Sequence, residues 1–196
     1  MIAAALLALS ASGPGLVDVA RAVPDAALDI RYATARNLAG RPLYPAARCL
    51  ALAPVADRLR RVAAALEREG YRLLLWDCYR PAAVQRELWR ARPDRRWVAD
   101  PARGSDHSRG AAVDASLVSR DGRPVEMPTD HDAFAAAARP DAVAGVSPAA
   151  REHRRILRRA MVRAGFRPDR GEWWHFSAPE ARGAPLLDVP LSGAGP

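Results

Sequence analysis

The sequence contains no lysine. All 30 of its basic residues are arginine, set against 22 acidic ones, and the formal net charge is +8. With so much alanine alongside, this reads as a compositional bias, and much of the charge belongs to a solvated surface. A basic protein can favour acidic partners. The chain shows no recognition helix, no zinc-finger spacing and no basic stripe interleaved with aromatics, so a nucleic-acid partner is not expected. Cysteine is scarce: Cys49 and Cys78 are the only two, and there is no Cys-x-x-Cys. In an exported protein such a pair invites a disulfide; otherwise it is two buried thiols. Neither suggests a nucleophile. No apolar run is long enough to span a bilayer, which takes about 20 residues. Residues 2–9 are apolar and lead into small residues, like the core and cleavage region of a secretory signal without its basic start. The expectation is that residues 1–13 are a signal remnant and that the protein works in the periplasm or outside the cell. The competing readings are a plain buried segment and a cytoplasmic protein. The helical zinc-protease motif His-Glu-x-x-His is also missing.

Histidine is rare too, and that makes its placement informative. Two of the four lie in short stretches flanked by glycine or tryptophan: Gly104-Ser105-Asp106-His107-Ser108-Arg109-Gly110 with Asp114 beyond, and Glu172-Trp173-Trp174-His175. Two imidazoles and a carboxylate (His107, His175, Asp114) are enough protein ligands for a catalytic Zn²⁺ with one open position. Glu172 is then free to act as a base. Iron is compatible with the same donors, but a glutamate beside the last histidine favours hydrolysis. On the residues alone the alternative stands: His107 caps a turn and His175 packs beside the two tryptophans. His131, in the loop Met127-Pro128-Thr129-Asp130-His131-Asp132, is a rival ligand ranked below His175.

Ser105-x-His107-Ser108-Arg109-Gly110, Val113-Asp114 and Glu172-Trp173-Trp174-His175-Phe176 together resemble the D-alanyl-D-alanine dipeptidase family of the VanX type. Arg31-Tyr32-Ala33-Thr34 and Trp76-Asp77-x-Tyr79-Arg80-Pro81 match as well, in the family's order, over roughly residues 28–178. The resemblance implies one Zn²⁺ on His107, Asp114 and His175, Glu172 as general base, and Arg80 as the group that stabilises the oxyanion. It implies a small dipeptide partner, with Ser105 at the substrate carboxylate and Tyr32 and Asp132 at its ammonium. The residues between Met127 and Asp132 depart from the family pattern. For Arg80 the alternative is an ion pair with Asp77, and for Tyr32 ordinary packing. Rival functions are a carboxypeptidase or endopeptidase acting on longer wall peptides, and a zinc-containing binding module without catalysis. Oligomeric state is left open.

The expected architecture is one α+β domain over residues 14–196. A small, mainly antiparallel sheet carries the metal ligands and helices pack on its back, as in the zinc D,D-peptidase and hedgehog fold that the resemblance implies. Strands are expected at 28–32, 71–77, 111–117 and 172–177, with a short one at 125–126 after an Asp121-Gly122 hairpin turn. Helices are expected at 54–69, 82–92 and 148–164, with a short helical turn at 133–138. Pro81 should open the second helix, and Ser147-Pro148 should cap and start the third. Ile156, Leu157, Ala160 and Met161 form the buried stripe of that third helix. Arg151, Arg154, Arg155, Arg158 and Arg159 read as its solvated face, with His153 exposed. A regular strand would point Glu172 and His175 to opposite faces. A bend near Trp173 is therefore required if both address one centre. The apolar patch at Leu186, Leu187 and Val189 has no assigned place.

Overall fold

The computed structural model describes residues 15–191. The expected signal remnant at 1–13 lies outside these residues. In chain order the elements are β1 (Leu16–Asp18), α1 (Val19–Ala22), β2 (Ala27–Leu28), β3 (Leu50–Leu52), α2 (Ala53–Glu67), β4 (Tyr71–Asp77), α3 (Ala82–Ala91), β5 (Ala112–Ser119), α4 (Pro148–Arg163), β6 (Arg167–Pro168) and β7 (His175–Ser177). A five-stranded sheet runs β2-β4-β5-β7-β6, and β1 pairs with β3 in a second, two-stranded one. Only the β2–β4 pair of the larger sheet is parallel. The fold is α+β, as expected.

Alternation and helical spacing explain the main layers. Leu73 and Leu75 of β4 are fully buried, and every residue of β5 but its last is buried. The sheet is therefore covered on both faces at its centre. Against it pack Val55, Ala56, Leu59, Val62 and Leu66, which share one face of α2 at helical spacing. Gly70, at φ 84°, ends that segment in a conformation that glycine adopts at no steric cost. The Ser147 hydroxyl accepts from the Ala150 amide at 3.0 Å and caps α4, and Pro148 is its first residue.

Three strand expectations are corrected. The segment at 28–32 pairs only through Ala27–Leu28 and then coils into a 3₁₀ turn at Arg31–Ala33. Arg31 forms ion pairs with Asp29 at 2.9 Å and Asp130 at 2.7 Å, and the Tyr32 carbonyl accepts two amides from Leu43 and Tyr44, which fixes that turn. No strand forms at 125–126. The turn at Asp121-Gly122 is present, but pairing stops at a single bridge between Val118 and Pro124, because proline has no N–H to extend the ladder. The Glu126 carbonyl instead accepts the Nδ1 proton of His153 at 2.8 Å, so His153 is half-buried against Tyr71 rather than exposed. The last strand begins only at His175, and Glu172 to Trp174 form a turn.

One member of the basic α4 face is also not solvated. Arg154 is buried and fastens the carbonyls of Arg139 and Ala142 at 3.2 and 2.8 Å. The unassigned tail patch is a strap. Leu187 is buried, its amide reaches the Ser108 carbonyl at 2.8 Å, and Asp188 accepts the Ala83 amide at 2.7 Å. Tyr79 both donates to and accepts from the Val189 backbone. Among the described residues no helix is long and apolar enough to cross a membrane.

Candidate active site

The site is a row across three strands. Asp114 of β5 lies directly opposite His175 of β7, and residues directly opposite in an antiparallel pair share a face. On the other side Asp77 of β4 lies opposite Asp114, through a register shift between Leu75 and Asp77 that re-aims the strand end. His107 arrives from the loop before β5, on a 3₁₀ turn ended by Gly110 at φ 67°. A Cβ on Gly110 would displace the Leu16 side chain, 2.6 Å away, and would be strained at this positive φ, so glycine suits the position.

His107 Nε2, Asp114 Oδ1 and His175 Nδ1 form a triangle with edges of 3.3, 3.1 and 3.1 Å. Four-coordinate zinc with bonds of about 2.0–2.1 Å requires donor separations of about 3.3 Å, so these three atoms fit such a centre. Each is oriented from behind. His107 Nδ1 donates to the Cys78 carbonyl at 2.7 Å, which leaves the lone pair on Nε2 facing the triangle. His175 Nε2 lies 3.3 Å from the Ser177 hydroxyl, which donates to Asp106 at 2.7 Å. His131 Nε2 lies 3.0 Å from Asp114 Oδ2 and leaves Oδ1 free. Metal-binding histidines and carboxylates are held in this way by partners on their far atoms.

The electrostatics also suit a cation. Burial pushes the Asp114 carboxyl up, but the charge of His107 and the hydrogen bonds of His107, His131 and His175 outweigh it and hold the group well below the usual carboxylate range. Burial pushes His175 down, yet the Asp114 carboxylate beside it raises it to about 9. At neutral pH the imidazole therefore carries a proton where a divalent cation would sit, and the two compete for the same donors. Glu172 is pushed up to about 8, by desolvation first and then by the negative charge of Asp114.

All eight residues singled out from the sequence line one cavity of about 320 Å³: Tyr32, Arg80, Ser105, His107, Asp114, Asp132, Glu172 and His175. The turn at Trp173-Trp174 supplies the bend required to bring Glu172 and His175 to the same space. His131, the rival ligand, does not join the triangle; it supports Asp114 from the far side. Arg80 does form the ion pair with Asp77, at 2.7 and 3.0 Å, and also donates to Gln85 at 2.8 Å while lining the cavity. Its guanidinium lies over the Tyr32 ring, 4.7 Å from the centroid. Tyr32 donates to Asp132 Oδ2 at 3.1 Å. Asp132 itself has a φ of 55°, an unusual backbone for a residue other than glycine. The Ser105 hydroxyl accepts the His107 amide at 3.3 Å.

Matches to known proteins agree with this geometry. Residues 12–190 match the D-ala-D-ala dipeptidase family of peptidases. The chain belongs to that family. It is 37% identical over 175 residues to the D-alanyl-D-alanine dipeptidase of Escherichia coli, covering 88% of this chain and 89% of the relative. Proteins of the same name from Enterococcus faecalis and Streptomyces coelicolor are 34% and 35% identical, over 76% and 78% of this chain and 83% and 85% of theirs. Peptidases of this family are metal-dependent, and the His107–Asp114–His175 group is where this family member could hold the ion.

Sequence reasoning missed the residues behind the site. Asp77, fully buried, accepts from Arg80 and from the Tyr44 hydroxyl at 2.7 Å, a supporting role that its place in the Trp76-Asp77 motif does not reveal. The link from Ser177 to Asp106 is likewise tertiary. Ser177 had a readable signal, since it stands two residues from His175 on a strand and so shares its face. Gln85 had none, because its role depends on where α3 docks.

Proposed function

We propose that this family member is a zinc-dependent dipeptidase that hydrolyses D-alanyl-D-alanine, with Glu172 as general base. The observation that carries the reading is the triangle of ligand atoms from His107, Asp114 and His175, set in one small cavity with Glu172 and Arg80. Bound there, zinc supplies Lewis acidity, which makes water nucleophilic near neutral pH and polarises a carbonyl. Glu172 takes the proton from the attacking water and delivers it to the leaving amine. A cation held beside it by His107, Asp114 and His175 would favour the ionised carboxylate that this role needs. Three of the five N–H donors of Arg80 are engaged by Asp77 and Gln85, which leaves two for a developing oxyanion from a guanidinium held in place.

Recognition of a free dipeptide requires both ends to be held. Asp132, aligned by Tyr32, is placed to receive the ammonium, and Ser105 to contact the carboxylate. A cavity of about 320 Å³ is at the small end of ligand pockets and suits a substrate of two residues. The Cys49–Cys78 disulfide supports an exported protein working in an oxidising compartment.

Free D-alanine is the measurement. Zinc-loaded protein is expected to release it from D-Ala-D-Ala and not from a peptide stem ending in D-Ala-D-Ala. Glu172→Ala is expected to lower kcat by about 10²–10⁴-fold, the usual contribution of a positioned base. Cleavage of the stem would move the assignment to a carboxypeptidase. Undiminished activity in Glu172→Ala would refute the mechanism.

A further inference from the structure

We infer that His131 is a positioning residue: it holds the Asp114 carboxylate in a one-oxygen binding mode and ties that ligand to the Asp132–Tyr32 pair at the other end of the cavity. The inference rests on the zinc reading above. The His131 side chain has no exposed surface. It stands among the rings of Tyr32, Trp76 and Trp174, with centroids 5.7, 5.5 and 5.8 Å away. A residue buried in such a box is either apolar filling or a placed polar group, and its two nitrogens decide which. Nε2 lies 3.0 Å from Asp114 Oδ2. A carboxylate only accepts, so the imidazole donates. Oδ1, the other oxygen, is the one that faces His107 and His175. With Oδ2 occupied by the imidazole, the carboxylate cannot swing to present both oxygens or to exchange them.

Nδ1 has no hydrogen-bond partner, although it is buried. It lies 3.6 Å from Asp132 Oδ2, the same oxygen that accepts the Tyr32 hydroxyl. A carboxylate only accepts, so this nitrogen can meet Asp132 only as a donor, in an ion pair rather than a hydrogen bond. Asp132, at φ 55°, is the one non-glycine residue with positive φ among the described residues. The loop thus sets its carboxylate against both His131 and Tyr32. The result is a continuous polar line, Asp114–His131–Asp132–Tyr32, from the metal end of the cavity to the end assigned to the ammonium.

The test is zinc affinity by chelator competition on the purified full chain, with circular dichroism to confirm folding. His131→Phe keeps a ring in the box and removes the donor. It is expected to weaken zinc binding by about 10–100-fold, the usual effect of losing a partner behind a metal ligand. His131→Gln and His131→Met have side chains of similar length but only Gln can donate. Gln is expected to recover most of the affinity and Met none, and this pair reads the same quantity if the Phe variant does not fold. At saturating zinc the Phe variant is expected to lose kcat more than it changes KM. Zinc affinity within about threefold of wild type in both the Phe and Met variants would overturn the inference while leaving the zinc reading intact. Failure of the wild type to take up zinc would overturn both.

Discussion

Reducing the Cys49–Cys78 bond is expected to cost several kcal/mol without dismantling the native structure. The two half-cystines are 29 residues apart, so the bond removes chain entropy of about 12 cal/mol/K from the unfolded state, or about 3.6 kcal/mol at 25 °C. What decides that the effect falls on the unfolded state is the backbone around the bond. The Cys49 carbonyl accepts the Val19 amide at 2.9 Å and the Leu50 carbonyl accepts the Tyr79 amide at 2.8 Å. The second of these bonds joins the two segments directly, and with the burial of both residues it keeps them adjacent when the sulfurs are reduced. The assay is urea unfolding of zinc-free protein, followed by tryptophan fluorescence, with and without a phosphine reductant that does not compete for metal. Removing zinc matters because ligand binding to the folded state would add its own stabilisation. For a domain of this size the expected loss corresponds to a fall in Tm of about 7–14 °C. The Cys49→Ala/Cys78→Ala protein should match the reduced wild type to within the additional cost of two small cavities. A difference below about 1 kcal/mol between oxidised and reduced protein would refute the loop-entropy argument.

Two further outcomes follow from single contacts. Ser147→Ala removes the cap that accepts the Ala150 amide and is expected to cost about 1 kcal/mol in the same urea assay, whereas Ser147→Asp should cost only a few tenths. The Tyr79 phenol is pushed up to about 12, chiefly by burial, so the folded state holds its proton more tightly than the unfolded state does. Stability should be unaffected below about pH 10 and fall as pH rises toward about 12. Tyr79→Phe should show a shallower fall over that window, after a lower starting point caused by the unpaired Val189 backbone. Equal slopes for the two proteins would exclude Tyr79 as the titrating group.

Much of this was legible because the decisive residues sit in regular elements. The strand at Tyr71–Asp77 and the helices begun at Ala53 and Pro148 follow from apolar runs and helical spacing bounded by Gly70, Pro54 and Pro148. Local chemistry is enough for these. The errors fall where tertiary contacts override local pattern. The alternation at residues 28–32 is strand-like, but Arg31 turns the chain toward Asp29 and Asp130, and Asp130 lies 99 positions away in sequence. Arg154 reads as one more surface cation, yet the loop that brings the Arg139 and Ala142 carbonyls beneath it is not visible in the helix itself. The strap is the clearest case. Nothing in Leu186–Val189 says where it docks, because its partners are the start of α3, Tyr79 and the turn that bears His107.

Three departures from ordinary local rules converge on the same place. Asp132 takes a backbone conformation that side chains other than glycine rarely adopt, Glu172 holds its proton to about pH 8, and His131 buries an unpaired nitrogen. Each costs stability by itself, since strained backbone, a desolvated carboxyl and an unsatisfied polar atom are all unfavourable. Packing alone would have removed them, because a phenylalanine in the Tyr32–Trp76–Trp174 box or a glutamine at 172 is easier to bury. Two of the three groups, Asp132 and Glu172, line the cavity, and the third, His131, bridges Asp132 to the Asp114 carboxylate. Costs concentrated in one small volume, beside three ligand atoms gathered around a common centre, are what a site built for a cation and a charged substrate requires. A core assembled for stability would not gather them there.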